Sequence, residues 1–298
     1  MGALMTNHWA SWDLCFVADK SGGLLGATEI RRLAEQMGLT PTKKLGQNFV
    51  HDANTIRRIV TIAGVGEGDH VLEVGPGLGS LTLGLVESGA RVSVIEIDPR
   101  LAEALPATLE KYFPAAEVSI ITADALTVSE VAGEPTALVA NLPYNTSVPI
   151  TLHLLQALPS LRTVVVMVQA EVAERLAAKP GSKAYGSPSV KARWYGSWSI
   201  AGSVPRQVFW PVPNVDSLLV TMDHTPPPGE ESLRRVVFDL VDQAFATRRK
   251  MARGALANYL GSDRVSELIT AAGLKPEDRG EQWTLEDFVG LARVVMAS

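Results

Sequence analysis

Apolar and polar positions change rhythm along this chain. Residues 71–74, 92–97, 118–122, 137–140 and 163–168 are short apolar runs rich in β-branched side chains, the pattern of buried strands. Between several of them lie longer amphipathic stretches, such as 101–112 and 150–158, with helical periodicity. That alternation predicts an α/β domain with a mostly parallel sheet. The run Pro226-Pro227-Pro228-Gly229 then interrupts the chain, because consecutive prolines continue neither a helix nor a central strand. Beyond it, residues 232–260, 262–272 and 284–297 carry a helical pattern and no strand. The expected organisation is an uninformative extension over 1–26, an α/β domain over 27–225 and a small helical domain over 226–298.

The strongest local signal lies where the first of these strands ends. Val71-Leu-Glu-Val-Gly-Pro-Gly-Leu-Gly79 runs from a strand through Gly75, Gly77 and Gly79 into a helical pattern. Glycines at such a turn let the backbone bend sharply and approach a ligand. The next strand ends in Glu96-Ile97-Asp98, which places a carboxylate where it accepts hydrogen bonds from an adenosine ribose. The third ends in Thr122-Ala123-Asp124, beside the expected place of the adenine. Two cofactors suit this Rossmann-like arrangement. A dinucleotide asks for G-x-G-x-x-G facing a pyrophosphate. The spacing here is G-x-G-x-G after Glu73, which suits S-adenosylmethionine, a ligand with no phosphate to cradle.

Asn141-Leu142-Pro143-Tyr144 follows the fourth strand, where open α/β sheets hold their ligands. Methyl transfer to the exocyclic amine of adenine needs such a group, because that nitrogen's lone pair is delocalised into the ring. The Asn141 side-chain carbonyl and the Leu142 backbone carbonyl are two acceptors for the amine. Pro143 sets the backbone direction and Tyr144 offers a flat face to the base. Alignment and electrostatics then carry most of the catalysis. An ordinary Asn-x-Pro turn is the plain alternative for the tetrapeptide by itself.

Taken together, Leu45-Gly-Gln-Asn-Phe-Val50, Glu73–Gly79, Glu96–Asp98, Asn141–Tyr144, the glycine-flanked segment 181–186, Pro211-Val-Pro-Asn-Val-Asp-Ser217 and Phe245-Ala-Thr-Arg-Arg-Lys250 resemble the KsgA/RsmA–Dim family of rRNA adenine dimethyltransferases. The resemblance runs from about Leu45 to the C-terminus. It implies a class I methyltransferase fold with a C-terminal helical domain. It also implies dimethylation at N6 of two adjacent adenines in the 3′-terminal hairpin of 16S rRNA, within an immature small subunit. Asn48 and Val50 would close over S-adenosylmethionine, with Gly75 at its methionine end, Gly77 in the same loop, Glu96 at the ribose and Asp124 at the adenine. Asn141 would face both cofactor and target. Phe209 would stack on a flipped adenine opposite Tyr144, with core packing as its equal alternative. Val50 stands where the family more often has leucine. An Erm-type 23S rRNA methyltransferase and a non-catalytic assembly factor of the same fold remain the alternatives, with an NAD-dependent oxidoreductase weaker than both.

Charge then qualifies the picture. Over 298 residues, 27 Lys+Arg face 32 Asp+Glu, a formal net of −5 that argues against an indiscriminate nucleic-acid coat. Residues 64–140 hold 12 acidic and 3 basic side chains, so the acidity belongs to the cofactor-binding half. Basic pairs lie outside it. Lys43, Lys44, Arg57 and Arg58 precede the glycine loop, and Arg248, Arg249, Lys250 and Arg253 follow the proline run, the last three on one expected helical face. They form a candidate phosphate track on rRNA; as single residues they read as solvated surface charge. One cysteine, Cys15, leaves no internal disulfide framework, and the five histidines have no metal-ligand spacing, so no metal is expected. No stretch reads as a spanning helix or signal peptide, which points to the cytoplasm, and a monomer is expected.

Overall fold

The computed structural model describes residues 23–39 and 48–298. Its centre is a seven-stranded sheet in the order β4-β3-β2-β5-β6-β9-β7. β2 (His70–Val74), β3 (Arg91–Glu96), β4 (Val118–Thr122), β5 (Ala137–Asn141) and β6 (Thr163–Gln169) are parallel. They coincide within a residue with the apolar runs in the sequence. Every residue of β2 is buried, as a strand covered on both faces requires. The chain steps outward from β2 to β3 and β4, then returns to add β5 on the other side of β2. That reversal opens a crevice at the carboxyl ends of β2 and β5, the place where such sheets bind ligands.

Two strands were not legible from periodicity. β7 (Gly196–Val204) and β9 (Ser217–His224) add an antiparallel edge, with β9 paired to β6 from Gln169↔Ser217 to Thr163↔Asp223. A short ribbon of β1 (Phe49–Val50) and β8 (Phe209–Trp210) pairs antiparallel, Val50 opposite Phe209, and brings two distant segments together.

Local chemistry sets the helix starts. The helix α2 (Ala53–Ala63) begins at Asp52, whose carboxylate accepts from the Thr55 N–H at 2.6 Å. It buries Ile56, Ile59, Val60 and Ala63, the face its sequence pattern predicts. The helix α3 (Ser80–Glu87) packs on it through Gly84, where a Cβ would come within 2.2 Å of the Ile56 side chain. The helix α4 (Pro99–Tyr112) starts with proline in its first turn and is capped by Asp98. The helix α1 (Ala27–Gln36) is fastened to α4 by Glu29, which accepts from Lys111 and from the Tyr112 hydroxyl.

The C-terminal helices correct one expectation. The pattern over 232–260 is not a single helix but α8 (Glu231–Ala246), α9 (Ala252–Ala255) and α10 (Ala257–Leu260), after α5 (Ser147–Ala157), α6 (Ala170–Ala177) and α7 (Ser187–Arg193). Thr247 leaves helical geometry at φ −129°, ψ 67°. A turn follows, closed by the Lys250 N–H on the Thr247 carbonyl, and α9 restarts with Ala252 N–H donating to the Asp278 carbonyl and Arg253 N–H to that of Pro276. Arg249 and Lys250 therefore sit in a turn, not on one helical face with Arg253. The helices α11 (Val265–Ala271) and α12 (Leu285–Ala297) complete the group.

One buried cluster runs from β5, β6 and β9 through Trp194, Tyr195 and Trp198 into α8, α11 and α12. Trp194 and Tyr195 both meet the Phe238 ring of α8 edge-on. The aromatic trio thus packs inside. The segment 181–186 is likewise structural: Gly181 N–H donates to the Glu281 carbonyl, and the buried Tyr185 donates its hydroxyl to the carbonyl of Trp283. It pins the last helices to the sheet.

Candidate active site: a cleft at the sheet's reversal

Eight of the residues singled out in the sequence converge on one cleft. Asn48, Val50, Gly75, Gly77, Glu96, Asp124, Asn141 and Pro143 all line it. The glycine turn forms its floor. Gly77 has φ +57°, and a Cβ there would lie 2.8 Å from the ring of Phe49, so only glycine lets β1 close over the loop.

Glu96 ends β3 and is 4% exposed. Its carboxylate accepts from the Gly77 N–H at 3.2 Å and the Asp98 N–H at 2.9 Å, which fixes its direction at the cleft wall. Burial, stronger than those two bonds, pushes its pKa above the ordinary carboxylate value. Asp124 accepts from the Leu126 N–H at 2.9 Å. Between these acids the wall is apolar: Ile97 is 54% exposed and Leu126 37% exposed, and both line the cleft, where they offer an apolar face to a flat group. Sequence alone marks neither as a cofactor contact. Ile97 had a signal, an apolar residue just past a strand end between two acids.

Beneath the turn, Glu73 is buried and lines the cleft, accepting from the Thr82 hydroxyl at 2.7 Å. Desolvation pushes its pKa up to about 8, with the nearby Glu96 adding to the shift. The Ser80 hydroxyl, also in the wall, is buried with no hydrogen-bond partner among the described residues. A buried orphan polar atom beside a carboxyl suits a ligand with a polar end. Acids at one end, an apolar slot and polar groups under a glycine turn fit S-adenosylmethionine: Glu96 and Asp124 toward its nucleoside, and Gly75, Ser80 and Glu73 toward its amino-acid end.

Asn141 closes the crevice. Its side-chain Nδ2 donates to the backbone carbonyl of Asn48 at 3.0 Å. With the nitrogen committed there, the carbonyl Oδ1 is the part of the amide left for a donor in the cleft. Three nominated residues lie outside the cleft wall. The Leu142 side chain belongs to the core and its N–H donates to the Met167 carbonyl. Tyr144 bonds through its hydroxyl to Ser217 Oγ at 2.9 Å. Phe209 is 1% exposed and packs in the core, so of its two readings the structure supports packing. The neighbouring Trp210 is the more open ring, stacked on Phe49 with centroids 6.3 Å apart.

The nominated cations are not equivalent. Lys43 and Lys44 lie outside the described residues. Arg57 is paired with Glu87 at 2.8 Å, and Arg58 donates to the Ser203 carbonyl at 2.9 Å. Arg248 is held by Glu281 at 2.7 Å and by the Lys183 carbonyl. Arg253 lies 3.5 Å from Glu277. Arg249 and Lys250 are exposed, and no ion pair engages either among the described residues.

A mostly parallel sheet with a glycine turn after its first strand, acids ending the next two and Asn-Leu-Pro-Tyr after the fourth defines a Rossmann-like, S-adenosylmethionine-dependent methyltransferase. The model of the ribosomal RNA adenine dimethylase family matches residues 39–295, and the chain belongs to that family. It is 59% identical to the ribosomal RNA small subunit methyltransferase A of Leifsonia xyli, over 90% of this chain and 98% of that protein. Its identity to the protein of the same name from Corynebacterium diphtheriae is 54%, over 93% and 97%. Among solved structures, the 23S rRNA methyltransferase ErmE superposes with a TM-score of 0.62 at 29% identity, covering 83% of this chain and 99% of that one. A dimethyladenosine transferase from Plasmodium falciparum superposes with a TM-score of 0.66 at 23% identity, covering 82% and 95%, which speaks to the fold.

Proposed function

We propose that this protein dimethylates N6 of two adjacent adenines in small-subunit rRNA, acting as a monomer in the cytoplasm on an immature subunit. The observation that supports the chemistry is the hydrogen bond from Asn141 Nδ2 to the Asn48 carbonyl, which engages the amide nitrogen and leaves Oδ1 as the acceptor for a donor in the cleft. When bound, S-adenosylmethionine supplies a methyl carbon on a cationic sulfur; the adenine nitrogen bonds to it, the carbon–sulfur pair stays on sulfur, and the nitrogen's proton leaves to water. Asn141 Oδ1 and the Leu142 carbonyl accept from the amine, orienting its lone pair along the transfer line and favouring a tetrahedral nitrogen. Pro143 sets the direction of both acceptors, and the Tyr144 ring faces the base. Glu96 and Asp124 hold the nucleoside end of the donor.

The small-subunit reading is favoured over an Erm-type one by the 54–59% identity to proteins named for that subunit, against 29% to ErmE. Arg249 and Lys250, exposed and engaged by no ion pair among the described residues, support a role for the C-terminal turn in holding rRNA phosphates. Among the described residues, no helix is long and apolar enough to cross a membrane.

The test is incubation with labelled S-adenosylmethionine and either unmodified small subunits, unmodified large subunits or free rRNA. Label in small-subunit adenine is expected; label confined to large subunits would overturn the reading in favour of the Erm type. Asn141→Ala should lower turnover by at least about a hundred-fold, in line with loss of a transition-state hydrogen-bond partner. Near-native turnover of that variant would remove Asn141 from the mechanism.

A further inference from the structure

Tyr144 does not stand free at the mouth of the cleft. Its hydroxyl shares a 2.9 Å hydrogen bond with Ser217 Oγ, 73 residues further along the chain. Ser217 is 1% exposed and is the first residue of β9, where its backbone pairs with Gln169 of β6 and Val204 of β7. Its position is therefore set by two neighbouring strands, whereas Tyr144 sits in the turn after β5. Adjoining residues reinforce the anchor: the Asp216 carbonyl accepts from the Ala170 N–H at 2.9 Å, and its carboxylate pairs with Arg206 at 2.6 Å. A tyrosine in a turn turns about two side-chain torsions, and a hydrogen bond at the far end of the ring removes that freedom.

We propose that Ser217 is a positioning residue for methyl transfer, holding the Tyr144 ring at the tilt that a target base needs to lie flat against it. This rests on the reading of the cleft as a methyl-transfer site. A buried serine hydroxyl needs a partner, and the partner here is the one aromatic side chain of the Asn141–Tyr144 turn. Ser217 acts through Tyr144 and touches neither substrate. The Asn141 amide is held by Asn48, so the acceptor and the ring are each fixed by a partner distant in sequence.

A double-mutant cycle of Ser217→Ala and Tyr144→Phe tests this, with initial rates on unmodified small subunits and S-adenosylmethionine affinity measured by calorimetry. Each single variant loses the same hydrogen bond, so each should lower kcat by about ten-fold while leaving cofactor affinity unchanged. In the Tyr144→Phe background, adding Ser217→Ala should change kcat by less than about two-fold, because the interaction is already gone. Equal losses from Ser217→Ala in both backgrounds would show that the serine acts independently of the tyrosine and overturn the proposal. So would native turnover of Tyr144→Phe, a result that stands even if Ser217→Ala fails to fold. Loss of cofactor binding in Ser217→Ala would make its role structural and overturn it as well. The wild-type protein separates the two levels: no label from it sinks the methyl-transfer reading, whereas label from it with additive variants sinks only the role of Ser217.

Discussion

Glu73 is a carboxyl group sealed under the glycine turn with the Thr82 hydroxyl as its donor, and its pKa rises to about 8. Unfolded, a glutamate titrates near 4.5, so between these values the folded protein binds the extra proton. Stability then falls as pH rises through that window, and the loss is complete above about 8. Glu73→Gln keeps an acceptor for Thr82 and carries no charge at any pH. It should match the wild type near pH 4 and exceed it at pH 9 by on the order of 3 kcal/mol, read from denaturant midpoints. Parallel stability profiles of the two proteins would show that Glu73 ionises freely in the fold. Asn141 illustrates the limit of reading residues singly. Its identity and place after β5 are plain in the sequence, but which end of its amide faces the cleft depends on a carbonyl 93 residues earlier. Phe209 and Arg57 make the same point: an aromatic ring and a cation look alike in sequence whether buried, paired or open.

Helices α2 and α3 lie close because Gly84 has no side chain. A methyl group there would overlap Ile56, itself 2% exposed and unable to withdraw. Gly84→Ala should therefore destabilise the protein by about 1–3 kcal/mol despite alanine's better helix propensity, measured by thermal or chemical unfolding. A stabilised variant would mean that the two helices separate readily. The parallel strands were legible as elements because each is a short apolar run bounded by polar turns. The antiparallel pair β7 and β9 was not: β7 alternates buried and exposed positions irregularly around a shift between Ile200 and Gly202, and no period survives such a break. The break between α8 and α9 was equally hidden, because the carbonyls that hold the first amides of α9 belong to residues 276 and 278.

In the assembled molecule, the sheet and the C-terminal helices share one core, so they should unfold together. Phe238 joins them, flanked edge-on by Trp194 and Tyr195. Phe238→Ala should cost about 2–4 kcal/mol and lower a single unfolding transition seen equally by circular dichroism and tryptophan fluorescence. Two separated transitions would show that the helical part folds on its own. The net charge of −5 also acquires a location, since the acids concentrate in 64–140 while Arg249 and Lys250 stand open on a C-terminal turn. Arg249→Ala should weaken rRNA binding and reduce the slope of log affinity against log salt by about one counterion. An unchanged slope would take Arg249 off the RNA surface.

Short-range pattern determined the parallel strands, the helices between them, the glycine turn and the order of Glu96, Asp124 and Asn141. Each of these is set within a few residues, by side-chain period or backbone freedom. Folding alone decided the rest: the Asn48 carbonyl that turns Asn141, the Ser217 hydroxyl that holds Tyr144, the burial of Glu73 and Phe209, and the pairing that neutralises Arg57 and Arg248 but leaves Arg249 exposed. The hydrogen bonds of Asn141, Tyr144, Arg57 and Arg248 join residues 30 to 93 positions apart, and only the closed chain brings them within reach.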